Sequence, residues 1–98
     1  MLKLNITPKA ESDLIGIWMY TCEEWGVEQA DTYLDQLETG MKQLVNHPSL
    51  GTNYAHVFPG YRRLQVAHHA VFYQLLESAV LVVRVLHEDM DAPERLLD

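Results

Sequence analysis

Arg84 is the one charged side chain in an otherwise apolar run that begins at Ala79 and continues through Val85 and Leu86 to His87. A guanidinium surrounded by valine and leucine needs partners that offset its desolvation. Two arrangements satisfy that need: a structural pair with a carboxylate, or projection from an open sheet face toward something anionic. Arg62 and Arg63 sit in a neighbouring apolar segment and can join Arg84 on such a face, and His87 can complete the cluster. Histidine near its ordinary pKa can act as acid or base at neutral pH, so the same cluster is also the place to look for proton-transfer chemistry.

Other candidate chemistry is weaker. His68 and His69 are adjacent, so on a strand they point to opposite faces and cannot chelate one ion together. Cys22 is the single cysteine and has no second thiol for a zinc site or a disulfide; it fits a reducing cytoplasm. Glu23 and Glu24 flank it and disfavour a thiolate. As neighbours on a helix, they do not face each other across a cleft as a hydrolytic pair does. No Gly-x-Ser-x-Gly and no phosphate-cradling glycine loop is present. The residues therefore name no catalytic group, no metal site and no cofactor.

The elements that carry these residues follow from periodicity. Leu2, Leu4 and Ile6 alternate with polar neighbours, which predicts a strand over 2–6. Thr7-Pro8 is a helix start, and Glu11 and Asp13 suit the dipole of the first turns. Ala10, Leu14, Ile17, Trp18, Thr21 and Trp25 recur at helical spacing, predicting a helix over 8–24. Trp25-Gly26 breaks it. A second helix over 27–46 places Ala30, Tyr33, Leu34, Leu37, Met41 and Leu44 on one side, with Glu28, Asp31, Asp35, Glu38 and Lys42 opposite. Proline at 48 ends it, and residues 48–60 read as an irregular connection. Runs near 62–66, 70–75 and 80–87 are strands joined by turns short enough to force antiparallel neighbours, a meander over 62–87. Residues 88–98 form a polar tail with room for one helical turn. The fold class is α+β: β-α-α-β-β-β in two layers, an antiparallel sheet with a helical hairpin on one face and arginines on the other. All 98 residues fit a single domain.

The net charge of −7 argues against a surface that grips nucleic acid. The charge is uneven. Residues 1–56 carry three lysines against eight acids, residues 57–87 three arginines against one acid, and the tail one arginine against five acids. No apolar run is long enough to span a membrane, and the start lacks the pattern of a signal peptide, so a soluble cytoplasmic protein is expected.

The order and spacing of several motifs resemble the RelE/ParE toxin family. Thr7 to Leu14 resembles that family's opening of the first helix, Trp25-Gly26 its inter-helix turn, and His47-Pro48-Ser49-Leu50-Gly51 its exit from the second helix. Gly60-Tyr61-Arg62, Val71-Phe72-Tyr73 and Arg84-Val85-Leu86-His87 are similar to its strand motifs, and the last, followed by Met90-Asp91, resembles the ParE branch most. The resemblance implies the toxin of a type II toxin–antitoxin pair. ParE toxins act on DNA gyrase and stall it with DNA broken; a ParD-like antitoxin wraps the toxin, and the pair represses its own operon. RelE relatives instead cut mRNA on the ribosome. Here the sheet has no lysine after Lys42, and the acidic helices repel RNA, so the ParE reading leads. The alternatives are a RelE-like endonuclease using His87 and a binding module that has lost toxicity.

In the ParE reading the target is met by Arg62, Arg63, Arg84, His87 and Met90, and the antitoxin by Trp18, Trp25, Tyr33 and Leu37. Core packing is the default reading of the two tryptophans, with a second use as anchors for a docked peptide. The expected assembly is a hetero-oligomer with the antitoxin, with no direct nucleic-acid contact, no membrane and no cofactor. An antitoxin segment would lie as a helix along the helical hairpin or add a strand at the sheet edge.

Overall fold

The computed structural model describes residues 2–97; Asp98, the end of the expected tail, lies outside the described residues. The chain runs β1 (Lys3–Ile6), α1 (Pro8–Trp25), α2 (Val27–Asn46), β2 (Thr52–Asn53), β3 (Tyr61–Val66), β4 (His69–Leu75), β5 (Ala79–His87) and α3 (Ala92–Leu96). The sheet order is β1-β5-β4-β3-β2. The β3-β4-β5 meander is antiparallel, as its short turns require.

Two features of the sheet lie outside the sequence expectation. β1 joins β5 in parallel, Lys3 opposite Ala79 through Ile6 opposite Val82, so the sheet is mixed. Parallel neighbours need a long crossover, and everything between β1 and β5 supplies it. The connection expected over 48–60 also holds a two-residue strand, Thr52 and Asn53 opposite Arg63 and Arg62.

Local chemistry accounts for the helix ends. The Thr7 hydroxyl accepts from the Ala10 N–H at 3.1 Å and donates to the Val83 carbonyl at 2.8 Å, so one side chain caps α1 and ties it to β5. Gly26 alone separates the two helices. Its φ of +92° lies where a side chain is strained, so glycine makes the sharp reversal possible.

The helices bury Ala10, Leu37 and Met41 against Val71, Val82 and Val85, with Leu14, Ile17, Leu34, Leu64 and Val66 closing the sides. Side chains as fully buried as Leu37 and Met41 each contribute on the order of 1.5–3 kcal/mol. The opposite sheet face is not an open arginine surface. Ala70, Phe72 and Leu86 lie there beneath Tyr54, Tyr61, Ala92 and Leu96, so α3 and the segment after β2 form a partial second cover.

Tyr73 sits wholly within the helix-side core, yet its hydroxyl is fully used. It donates to the Pro48 carbonyl at 2.8 Å and accepts from the Gly51 N–H at 3.1 Å and Arg62 Nε at 3.3 Å. Gly51 must lack a side chain: a Cβ would stand 2.7 Å from both the Tyr73 hydroxyl and the Arg63 carbonyl. Replacing Tyr73 with phenylalanine strands these groups, and the expected loss is about 1–3 kcal/mol of unfolding free energy. Urea denaturation checks it; an unmoved midpoint at constant slope would make the hydroxyl dispensable.

A groove between the hairpin and the open end of the sheet

The second half of α1, the first half of α2 and the ends of β4 and β5 enclose a groove of about 970 Å³. Its walls are aromatic: Trp25 is 73% exposed and Tyr20 65% exposed, and Met90 stands at the rim with 45% exposed. Its floor is polar, formed by Tyr33, His69, His87 and the Asp13–Arg84 pair.

Arg84 takes the first of its two possible arrangements. Its Nε and Nη2 donate to the two oxygens of Asp13 at 2.8 and 2.9 Å, and Nη1 donates to the Arg95 carbonyl at 2.9 Å. Arginine and aspartate side chains are each 14% exposed. The backbone explains how an arginine in a strand reaches a helix. β1 stops at Ile6 opposite Val82, so the edge of β5 is uncovered beyond that point. Thr7 meets the Val83 carbonyl there, and Asp13 accepts the Val85 N–H at 3.0 Å, continuing the edge with side chains in place of a strand. At the same place the pairing shifts: Phe72 faces Arg84 while Tyr73 faces Val82. Val83 is the extra residue of a bulge, which turns Arg84 out toward the edge. Simple alternation put Arg84 on one face with Val82 and Leu86; the bulge moves Val82 to the helix side, in the core with Leu37, and leaves Leu86 beneath α3.

On the floor, the His68 N–H donates to the Tyr33 hydroxyl at 3.2 Å, leaving the phenol's own hydrogen for His69 Nδ1. The His69 ring meets Tyr33 edge-on at 5.4 Å and His87 at 5.2 Å. Burial, then the neighbouring His87 and His68, push the His69 pKa down to about 4, so it is neutral at physiological pH. Burial likewise raises Tyr33. His87 Nδ1 accepts from the Asp89 N–H at 3.1 Å. His68, which also lines the groove, meets Glu88 at 3.0 Å, an exposed contact whose hydrogen bond holds the Glu88 carboxyl below its usual range.

His69 makes stability pH-dependent with a definite sign. Its folded value lies below the ordinary 6.5, so the unfolded chain takes up the proton first as the solution is acidified. The contribution is complete above about pH 6.5 and is lost progressively toward pH 4. His69→Phe is therefore expected to shrink the drop in melting temperature between pH 7.5 and pH 5. An identical drop in both proteins would locate the acid sensitivity elsewhere.

The groove brings together five of the nine residues singled out from sequence: Arg84, His87, Met90, Trp25 and Tyr33. The other four lie elsewhere. Arg62 turns to the helix side, where it donates to the Gly51 and Ser49 carbonyls at 2.6 and 3.2 Å. Arg63 lies on the far face, 6.0 Å over the Phe72 ring and bonded to Gln65 at 2.6 Å. Trp18 is on the outer side of the hairpin, its indole N–H donating to Asp31 at 2.8 Å. Leu37 is corrected outright: it is fully buried against the sheet centre and presents nothing to a partner. Tyr20, Asp13 and His69 were not singled out. A signal for Tyr20 existed, since Ile15, Met19 and Tyr20 are apolar residues off the buried stripe of α1 and are all exposed.

Chemically, the arrangement favours binding over bond cleavage. The guanidinium that would stabilise developing charge is neutralised by Asp13, and His69 is held by Tyr33. Among the described residues no three His, Cys, Asp or Glu side chains converge as metal ligands, and no helix is long and apolar enough to cross a membrane.

Residues 4–92 match the family model described as the ParE toxin of the type II toxin–antitoxin system parDE. The chain is 37% identical to Toxin ParE1 of Mycobacterium tuberculosis strain H37Rv, over 93% of this chain and 94% of that one. It is 38% identical to Toxin ParE of Escherichia coli, over 95% and 91%. Among solved structures, the chromosomal ParDE toxin–antitoxin system from P. aeruginosa contains a chain that superposes with a TM-score of 0.80 at 21% identity, covering 89% of this chain and 96% of that one.

Proposed function

This chain belongs to the ParE toxin family of type II toxin–antitoxin systems, and we propose that it inhibits DNA gyrase by protein–protein contact in the cytoplasm and is neutralised by a ParD-like antitoxin in a hetero-complex. The groove is the observation that carries this reading. It offers large exposed aromatic surface at Trp25 and Tyr20 beside a floor whose polar groups are already paired with one another. Such a site is suited to enclosing a segment of another protein. The antitoxin segment is assigned to this groove, against Trp25 and Tyr33. Met90 at the rim, and His87 beneath it, are the target-facing groups of the same region.

A supercoiling assay with relaxed plasmid, gyrase and ATP tests the target. Added toxin should suppress supercoiling and accumulate cleaved plasmid after protein denaturation, and prior addition of the antitoxin should prevent both. Unchanged supercoiling at molar excess of toxin would remove gyrase as the target and leave a binding module.

The endonuclease reading has one favourable observation, the Tyr33–His69–His87 contact in a groove. It requires cuts in ribosome-bound mRNA that disappear in His87→Ala. Intact message in the presence of wild-type protein eliminates it.

A further inference from the structure

The turn that follows β5 is built on the His87 imidazole. The Met90 N–H donates to the His87 carbonyl at 3.0 Å and closes a turn over residues 87–90. Inside that turn the Asp89 N–H donates to His87 Nδ1 at 3.1 Å. A backbone N–H can only donate, so Nδ1 carries no hydrogen and the ring is neutral, with its proton on Nε2. The imidazole does here what an asparagine side chain does in an Asx turn, where it accepts from the backbone two residues on. The turn sets Met90, half-exposed, at the rim of the groove. One residue later Asp91 caps α3.

We propose that His87 is a proton-operated switch for the rim of the groove. Histidine is the side chain whose charge ordinarily changes between pH 5 and 8. Once Nδ1 takes a proton it can no longer accept, and the Asp89 N–H loses its partner. The new N–H meets the Asp89 carboxylate, whose Oδ2 lies 3.7 Å away, too far to accept until the turn moves. Protonation therefore exchanges the bond that holds the turn for an ion pair that reshapes it, and Met90 moves with it. The other groups around the ring leave this exchange to Asp89. Asp13 of α1 is bound to Arg84, and Tyr33 of α2 to His69. On β4, burial holds His69 neutral until about pH 4, and His68 beside it pairs with Glu88. Arg63 of β3 is bonded to Gln65, and Asp91 accepts from the Glu94 N–H. Arg95 of α3 carries the same sign as the protonated ring. Glu88 stays anchored, because its N–H donates to the His68 carbonyl at 2.9 Å, so the movement begins at Asp89. The consequence for binding rests on the reading that the groove encloses an antitoxin segment: acid then loosens the complex at its rim.

Imidazole and amide NMR of the full chain between pH 7.5 and pH 5 tests the switch without any partner. At pH 7.5 the His87 ring should show a bare Nδ1 and a protonated Nε2. On acidification the Asp89 and Met90 amides should shift with the same midpoint as the His87 ring, and the protection of the Asp89 N–H against solvent exchange should drop. In His87→Asn the side-chain oxygen takes the place of Nδ1 and binds no proton, so both amides should hold still over this range. His68→Asn removes the neighbouring exposed histidine and should leave the Asp89 titration in place. The switch is overturned by a proton on Nδ1 at pH 7.5, by Asp89 and Met90 amides that do not follow the ring, by a titration that persists in His87→Asn, or by one that vanishes in His68→Asn. Calorimetry with the purified antitoxin reads the consequence. Affinity should fall about three- to tenfold from pH 7.5 to pH 5.5, the scale of one exposed hydrogen bond. In His87→Asn the fall should shrink to below about twofold, since a side chain that cannot charge keeps the bond. A ring and turn that titrate together while affinity stays constant would uphold the switch and take Met90 out of the antitoxin contact.

Discussion

Asp13→Ala is expected to lower the unfolding free energy by about 3–5 kcal/mol, the cost of breaking a largely buried ion pair from one side. The substitution removes three bonds at once, two from Arg84 and one from the Val85 N–H. It leaves a guanidinium that is 14% exposed without its carboxylate. A domain of this size has roughly 5–15 kcal/mol of stability in total, so the loss is a large fraction of it. At about 4–8 °C per kcal/mol, the melting temperature should fall by more than about 10 °C. Asp13→Asn keeps an acceptor in place and should lose less. Replacing both partners with apolar residues, Asp13→Leu with Arg84→Met, should recover part of the deficit because no buried charge is left over. A fall below about 1 kcal/mol in Asp13→Ala would mean that water replaces the carboxylate freely. The same logic fixes the reading of Arg84→Ala: its loss of toxicity should follow its loss of folded protein. A stable Arg84→Ala that is no longer toxic would return Arg84 to the target surface.

Arg84 shows what sequence can and cannot convey. Its type and its apolar neighbours correctly demand a partner, because a lone guanidinium there is costly. Its partner is 71 positions away and belongs to an element whose acid has an adequate local explanation, the dipole of the first helical turn. The bulge at Val83 is equally hidden: a run of valines on both sides gives no mark of where alternation slips. The helices and the meander were legible because each is held by its own periodicity and its own capping residues, Thr7-Pro8 and Gly26 among them. The parallel seat of β1 was not, since it depends on a pairing across most of the chain. Nor was the second cover over Phe72 and Leu86, because a five-residue helix leaves almost no periodic signal. For the candidate site, five of nine residues converge because α1, α2 and the end of β5 meet at one end of the molecule. Leu37 failed for a simple reason: the residues most apolar in pattern are the ones already spent on the core.

Trp25 is the opposite case, and the contrast defines the second large effect. It continues the stripe of Ala10, Leu14 and Ile17 by spacing, yet it lies at the last position of α1, beyond the sheet's cover, and is 73% exposed. The core therefore has little to lose when it is truncated, and Trp25→Ala should shift the melting temperature by no more than a few degrees. Binding should respond very differently. Tryptophans that are exposed when free and enclosed in a complex are among the commonest energetic anchors of interfaces, with truncation costs of about 2–4 kcal/mol. The antitoxin is accordingly expected to bind Trp25→Ala some thirty- to several-hundred-fold more weakly, mainly through faster dissociation. Tyr20→Ala, on the same wall, should add to that loss, and the two should couple because they line one groove. Calorimetry with the purified antitoxin, paired with thermal unfolding of the free toxin, separates the two quantities. Unchanged affinity in a folded Trp25→Ala would move the antitoxin off this groove altogether. A melting temperature that collapses with it would mean that the indole supports the hairpin turn at Gly26 and was never held in reserve for a partner.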